Sequence, residues 1–153
     1  MQSGKLLLDG GYVRYSLDDS AQWELPISSI RVIGEATNQN GPFLDDYFLC
    51  FAVGPDCWYE ASFYAEGREQ FLISLASRLG HPLVLRLVCS ADFDSSVLWP
   101  PHLAGRPMFS FTPVQPTTWL GRLIGPLRNR QTFSTEVLAE FGSETATDRG
   151  GTL

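Results

Sequence analysis

Histidine, cysteine and charge are all in short supply in this chain. His81 and His102 are the only imidazoles, and the three cysteines, Cys50, Cys57 and Cys89, stand apart from one another. A metal centre needs three or more converging N, O or S ligands, and zinc grips or thiol-exchange pairs need Cys-x-x-Cys spacing. Neither pattern occurs, so no metal and no cofactor is expected, and Cys50 and Cys89 are read as buried free thiols. His81 follows the helix-stopping Gly80, where a structural role fits, and His102 lies in a proline-rich, exposed loop. The Gly-x-Ser-x-Gly elbow of hydrolases and the glycine-rich phosphate loop are missing as well. No run of 18 apolar residues offers a bilayer span, and no secretory core precedes the first charged residues, so a cytoplasmic protein is expected.

Charged residues make up only 18% of the chain and hydrophobic ones 44%, against roughly 25% charged in ordinary soluble domains. A net charge of -6 argues against nucleic acid as a partner, because such binders carry a basic patch. The charge is also unevenly placed. Residues 1–94 hold six basic and thirteen acidic side chains, a net of -7, whereas residues 95–135 hold Arg106, Arg122, Arg128 and Arg130 and no acid. Asymmetry of this kind marks either an internal acid/base match, the favoured reading, or a contact for an anionic partner. The length suits one domain that buries its own core. Three parts are expected: a sheet-plus-helix core over 1–80, an extension packed on it over 81–141, and a mobile tail over 142–153.

Short strands are predicted at residues 5–8, 12–15, 21–25 and 30–37, separated by Asp9-Gly10-Gly11, by Asp18-Asp19-Ser20 and by a tight turn at 27–29 after Pro26. On the fourth strand, Ile30 and Val32 are expected to share a face with Ile33 on the other. A polar loop at 38–45 precedes the clearest hairpin, residues 47–53 and 58–64, with its reversal at Gly54-Pro55-Asp56. Phe71, Leu72, Leu75, Ala76 and Leu79 then recur with a helical period, which predicts an amphipathic helix over 66–79 stopped by Gly80 and Pro82. An alternating apolar strand is expected at 83–88. Beyond it, prolines break every run, with short strands at 97–99 and 108–111, a second apolar stripe from Trp119 to Leu127, and a helical piece at 135–141.

The step Trp23-Glu24-Leu25-Pro26-Ile27-Ser28-Ser29-Ile30, followed by a hairpin and then by Arg68-Glu69-Gln70-Phe71-Leu72-Ile73-Ser74-Leu75, resembles the pleckstrin-homology-like superfold, and within it the bacterial pleckstrin-homology and GRAM-type domains. The resemblance spans about residues 5–80. It implies an α+β fold: an antiparallel sheet or half-barrel capped by one helix, here with a C-terminal extension. Phosphoinositide-holding members use Lys and Arg around the first hairpin loop. Here Lys5, Arg14 and Arg31 face Asp9, Asp18 and Asp19, which argues against such a site.

Asp92-Phe93-Asp94 is similar to a calcium loop and to the Asp-x-Asp pair of haloacid-dehalogenase-type phosphatases. Val97 and Leu103 stand where the calcium loop needs Gly and Glu, and Pro100-Pro101 replaces the helix the phosphatase needs. Asp18-Asp19 and Asp45-Asp46 are read as solvated turn residues, since adjacent side chains on an extended chain point apart. The aromatic hairpin is the sharpest hint: Trp58 and Tyr64 share one face, Tyr59 and Phe63 the other, so both faces are apolar and both need a cover. The leading expectation is therefore a non-enzymatic binding or assembly domain contacting a protein partner or a second copy, with Trp58, Tyr59, Trp119, Arg122, Arg128 and Arg130 as binding candidates. The alternatives are a small hydrolase using Asp92 and Asp94, and a membrane-surface module using residues 119–130.

Overall fold

A computed structural model describes residues 3–39, 41, 44–88, 90, 92–114 and 128–147, with backbone alone at 111–114, 128–130 and 143–147. Two antiparallel meanders come first. The strands β1 (Lys5–Asp9), β2 (Tyr12–Leu17) and β3 (Ser20–Pro26) form one sheet in that order. Asp18 and Asp19 hold φ of 49° and 61° in the turn between β2 and β3, the positive values a tight two-residue hairpin turn demands. After a 3-10 turn at Ile27–Ser29, β4 (Val32–Thr37), β5 (Tyr47–Gly54) and β6 (Cys57–Ser62) build a second sheet. A later strand, β7 (Asp94–Trp99), adds to the open side of β4, giving the order β6-β5-β4-β7.

The fourth strand starts two residues later than its apolar pattern suggests. The Ile30 amide closes the 3-10 turn on the Ile27 carbonyl at 3.0 Å. Ile30 and Ile33 consequently face one core while Val32 faces the other. The helix α1 (Arg68–Leu79) likewise begins after Glu66. The Glu66 amide and carbonyl are taken by the Gly4 carbonyl and the Leu6 amide of the β1 edge, at 2.8 and 3.0 Å. Gly67, at φ 82°, then turns the chain into the helix. At the far end Gly80 bonds the Ser77 carbonyl and His81 the Ala76 carbonyl, with Gly80 left-handed at φ 68°, a Schellman stop.

Residues 83–88 alternate as expected but make no ladder. Leu83, Leu85 and Leu87 turn inward onto the core, while Val84 and Val88 are exposed. Both flanks of β4 are already occupied by β5 and β7, so the segment crosses the sheet as an extended strap. After a 3-10 turn at Pro101–Leu103, β8 (Phe109–Val114) and β9 (Arg128–Phe133) pair as a two-stranded ribbon. Pro113 is tolerated there because a two-stranded ribbon leaves half its backbone groups unpaired. The last helix, α2 (Thr135–Thr147), runs past 141 into the segment expected as a tail. Residues 148–153, Cys89 and the stripe at 119–127 lie outside the described residues.

Every residue of β4 is buried, because the four-stranded sheet is covered on both faces. On one side Ile33, Leu49 and Phe51 pack with Val13 and Leu25 of the first sheet and with Phe71 and Leu75 of α1. On the other, Val32, Cys50 and Ala52 pack with Met108, Phe109, Phe133 and Val137. The fold is α+β. Among the described residues, no helix is long and apolar enough to cross a membrane.

Candidate functional site

The most unusual side chain of the core is Glu35. It sits in mid-strand on β4 with no exposed surface, on the same face as Ile33 by the two-residue period. Its Oε2 accepts the hydroxyl of Tyr47, and its Oε1 accepts the Arg86 amide at 2.8 Å. Burial pushes the Glu35 carboxyl above its ordinary value, although the bonds from Tyr47 and from the Arg86 and Leu87 amides oppose the rise. Tyr47 is pushed up too, first by burial and then by the Glu35 bond. Across the ladder from Glu35 stands Ser96, whose buried hydroxyl has no hydrogen-bond partner among the described residues.

A line of ring contacts leads from this buried group to the surface. The Tyr47 ring stacks on Phe63 with centroids 3.8 Å apart, and the Arg68 guanidinium lies 4.0 Å from the Phe63 centroid. Phe63 in turn meets Tyr64 edge-on at 5.9 Å. Tyr64 is 51% exposed, yet its hydroxyl donates to Asp46 at 2.5 Å. That bond pushes the Tyr64 phenol up to about 12. Tyr64 forms the ridge between two depressions. One, of about 360 Å³, includes Ser3, Lys5, Asp18, Asp19 and Glu66; the other, a shallow groove of about 520 Å³, includes Gly67, Arg68, Glu69, Gln70 and Ile73. Ile73 is 66% exposed.

Of the residues singled out from sequence, Trp58 and Tyr59 lie on opposite faces of one strand. Trp58 lies on one face of β6, 5.1 Å from the Phe109 ring and 5.0 Å from Phe133, with its indole donating to Glu60. Tyr59 lies on the other, 5.7 Å from Trp23. Both are half-buried against their own chain. Trp119 and Arg122 lie outside the described residues, and Arg128 and Arg130 occupy alternate register positions on β9, opposite Val114 and Thr112. Asp92 and Asp94 are exposed; the Asp92 carbonyl accepts the Thr37 hydroxyl, and the Asp94 carboxylate accepts the Ser95 amide. His102 is bound to Glu140 at 2.8 Å, tying the 3-10 turn to α2. Asp45 and Asp46, expected as solvated turn residues, instead accept bonds from Ser3 and Tyr64.

Cys50 is a buried free thiol, pushed well above its ordinary value by burial, and Cys57 is free and exposed. No group of three His, Cys, Asp or Glu side chains that could hold a metal occurs among the described residues. Comparison with protein-family models, with curated proteins and with solved structures finds no match to this chain.

Proposed function

We propose that the protein is a non-enzymatic binding domain of pleckstrin-homology-like shape, and that it makes protein contacts through the surface centred on Tyr64. The observation that carries this is a large aromatic side chain that is half exposed yet held in one position by Asp46. Interface hot spots are enriched in Tyr and Arg that need no reordering on binding. Arg68, stacked on Phe63, and the exposed Ile73 extend the surface on one side. Asp18 and Asp19, beside the Lys5–Glu66 ion pair, leave the other side net acidic, which suits a partner segment that is basic beside an apolar residue. Two antiparallel meanders followed by a helix support the pleckstrin-homology-like order, with β7 and the C-terminal ribbon as additions.

A second copy is the other reading, favoured by the net charge of -7 over residues 1–94 against the acid-free, four-arginine stretch at 95–135. Light scattering at two concentrations and two salt concentrations separates the two. A salt-sensitive rise in mass with concentration selects the second copy. For a different partner, the mass stays monomeric and cross-linking in extracts of the source cell yields partners that Tyr64→Ala and Ile73→Asp lose. Unchanged capture by both variants would remove this surface from the proposal.

A further inference from the structure

The strap at 83–88 is attached in an unusual way. Its inward leucines touch the core, but its backbone takes no place in a ladder, and the Arg86 amide is satisfied by the Glu35 carboxylate. We propose that the strap is a separately opening segment of the fold, latched by the Glu35 carboxyl rather than by strand pairing. It is bounded by well-tied points. Gly80 and His81 close α1 before it. After it, the Ser90 amide bonds Leu87, and the Thr37 hydroxyl bonds the Asp92 carbonyl at 2.6 Å.

The latch responds to pH because burial of the Glu35 carboxyl outweighs its three hydrogen bonds and the more distant Arg86 charge. From β5, Glu35 is faced by Tyr47, with the Cys50 thiol close enough to feel its charge; from β7, by the uncharged Ser96; from the strap, by Arg86. The Arg86 guanidinium turns away to the Val84 carbonyl. Among the described residues no cation lies within ion-pair distance of Glu35. Arg68 stands one layer further out, on Phe63. A protonated Glu35 sits comfortably in this site, whereas an ionised one is a buried anion whose cost falls when the strap lifts and water enters. Opening requires only a few apolar contacts and side-chain hydrogen bonds to break, the mark of a low-stability unit.

Hydrogen exchange of the full chain, corrected for intrinsic rates between about pH 5 and about pH 8, reads the strap amides at 84–88 against those of β5. In the wild type, strap protection is expected to be lower than that of β5 and to fall with rising pH, by at most about tenfold per pH unit, the limit for one linked proton. Glu35→Gln removes that slope and leaves the β5 amides as they were. Tyr47→Phe takes one donor from the anion, so the onset of the fall stays at the ordinary carboxyl value, its upper end moves to higher pH, and the strap loses more protection than in the wild type at the top of the range. If strap and β5 amides exchange in step at every pH in the wild type, the strap is no separate unit and the proposal fails without any variant. If the strap opens separately but Glu35→Gln keeps the same slope, Glu35 is not the latch.

Discussion

The two faces of the four-stranded sheet are built on different principles. The face toward the first sheet is apolar but threaded with polar anchors: Trp23 donates to the Glu60 carbonyl, Tyr15 to the Ser3 carbonyl, and Tyr47 to Glu35. Each such bond has one satisfactory geometry, so this face specifies position. The face toward the C-terminal ribbon is closed by a cluster of rings, Trp58, Phe109, Phe133 and Phe141, of which Phe109 and Phe133 stack. Its buried polar groups are small, such as Ser95, whose hydroxyl accepts the Met108 and Phe109 amides, and Ser134, whose hydroxyl donates to the Pro107 carbonyl. Burial area holds this face together, and the chain supplies its own cover through Met108, Phe109, Phe133, Val137 and Phe141.

The largest way to break that contrast is to empty the ring cluster. Phe133 is 3% exposed, and its ring lies 5.4 Å from Phe109 and 5.8 Å from Phe141. Phe133→Ala is expected to cost about 3–5 kcal/mol in denaturant unfolding, a large part of the roughly 5–15 kcal/mol that holds a domain. Protection should be lost first in α2 and the ribbon; equal loss across β1 to β3 would show that the two faces are one cooperative unit. On the other face Glu35→Ala strands the Tyr47 hydroxyl and the Arg86 amide, at about 1–3 kcal/mol for each buried orphan. Adding Tyr47→Phe should recover part of that loss, because it removes one of the orphans. Recovery of nothing would mean that the Tyr47 bond contributes little to the fold.

Gly34 tests how close the second face is packed. A Cβ there would collide with the Met108 sulfur and stand 2.9 Å from the Ser96 carbonyl oxygen. Gly34→Ala should destabilise by about 1–3 kcal/mol. Met108→Ala in the same chain relieves the sulfur but not the carbonyl, so only partial rescue is expected in the double variant.

Stability against pH sharpens the contrast from the polar side. The folded value of Glu35 lies above its ordinary 4.5. Its stabilising contribution is therefore complete below the ordinary value and is lost as pH rises through the folded one. Comparison of wild type with Glu35→Gln by thermal unfolding should show the difference between them growing from acid toward neutral pH. A gap that stays constant would mean that Glu35 holds the same charge in both states.

Local pattern carried the first half of the chain and tertiary contact carried the rest. The turns at Asp18-Asp19 and Gly54-Pro55, the leucine and phenylalanine stripe of α1 and the Gly80 stop are all short-range signals, and each element lies where its residues place it within two positions. The two-faced hairpin was equally legible, because Trp58 and Tyr59 are neighbours in a strand of period two. What covers each face was not, since Trp58 meets Phe109 and Phe133 only through the folded chain. Glu35 was not singled out in the sequence, because nothing local announces that Tyr47 and Arg86 converge on it. The strap kept the alternation of a strand without its pairing, because side-chain periodicity reports burial and is silent about which groups satisfy the backbone.

The smallest expected effect concerns Tyr64, where the polar logic of the first face reaches solvent. Its hydroxyl donates to an Asp46 carboxylate at 2.5 Å, and an ionised phenol cannot donate, so removing the proton costs that bond and sets two negative charges together. The bond is the largest single cause of the rise to about 12, with burial and the charges of Asp46 and Asp45 adding and Arg68 opposing. Asp46→Asn keeps an acceptor of the same shape but removes the charge, so the Tyr64 ring signals in an NMR titration should move back toward an ordinary 10.0. Stability at neutral pH should change little, since Tyr64 is half exposed and the bond is open to water. A Tyr64 titration unmoved by Asp46→Asn would place the tyrosine on another partner, and a ring that is not held by Asp46 has no claim to be the preformed anchor of a protein contact.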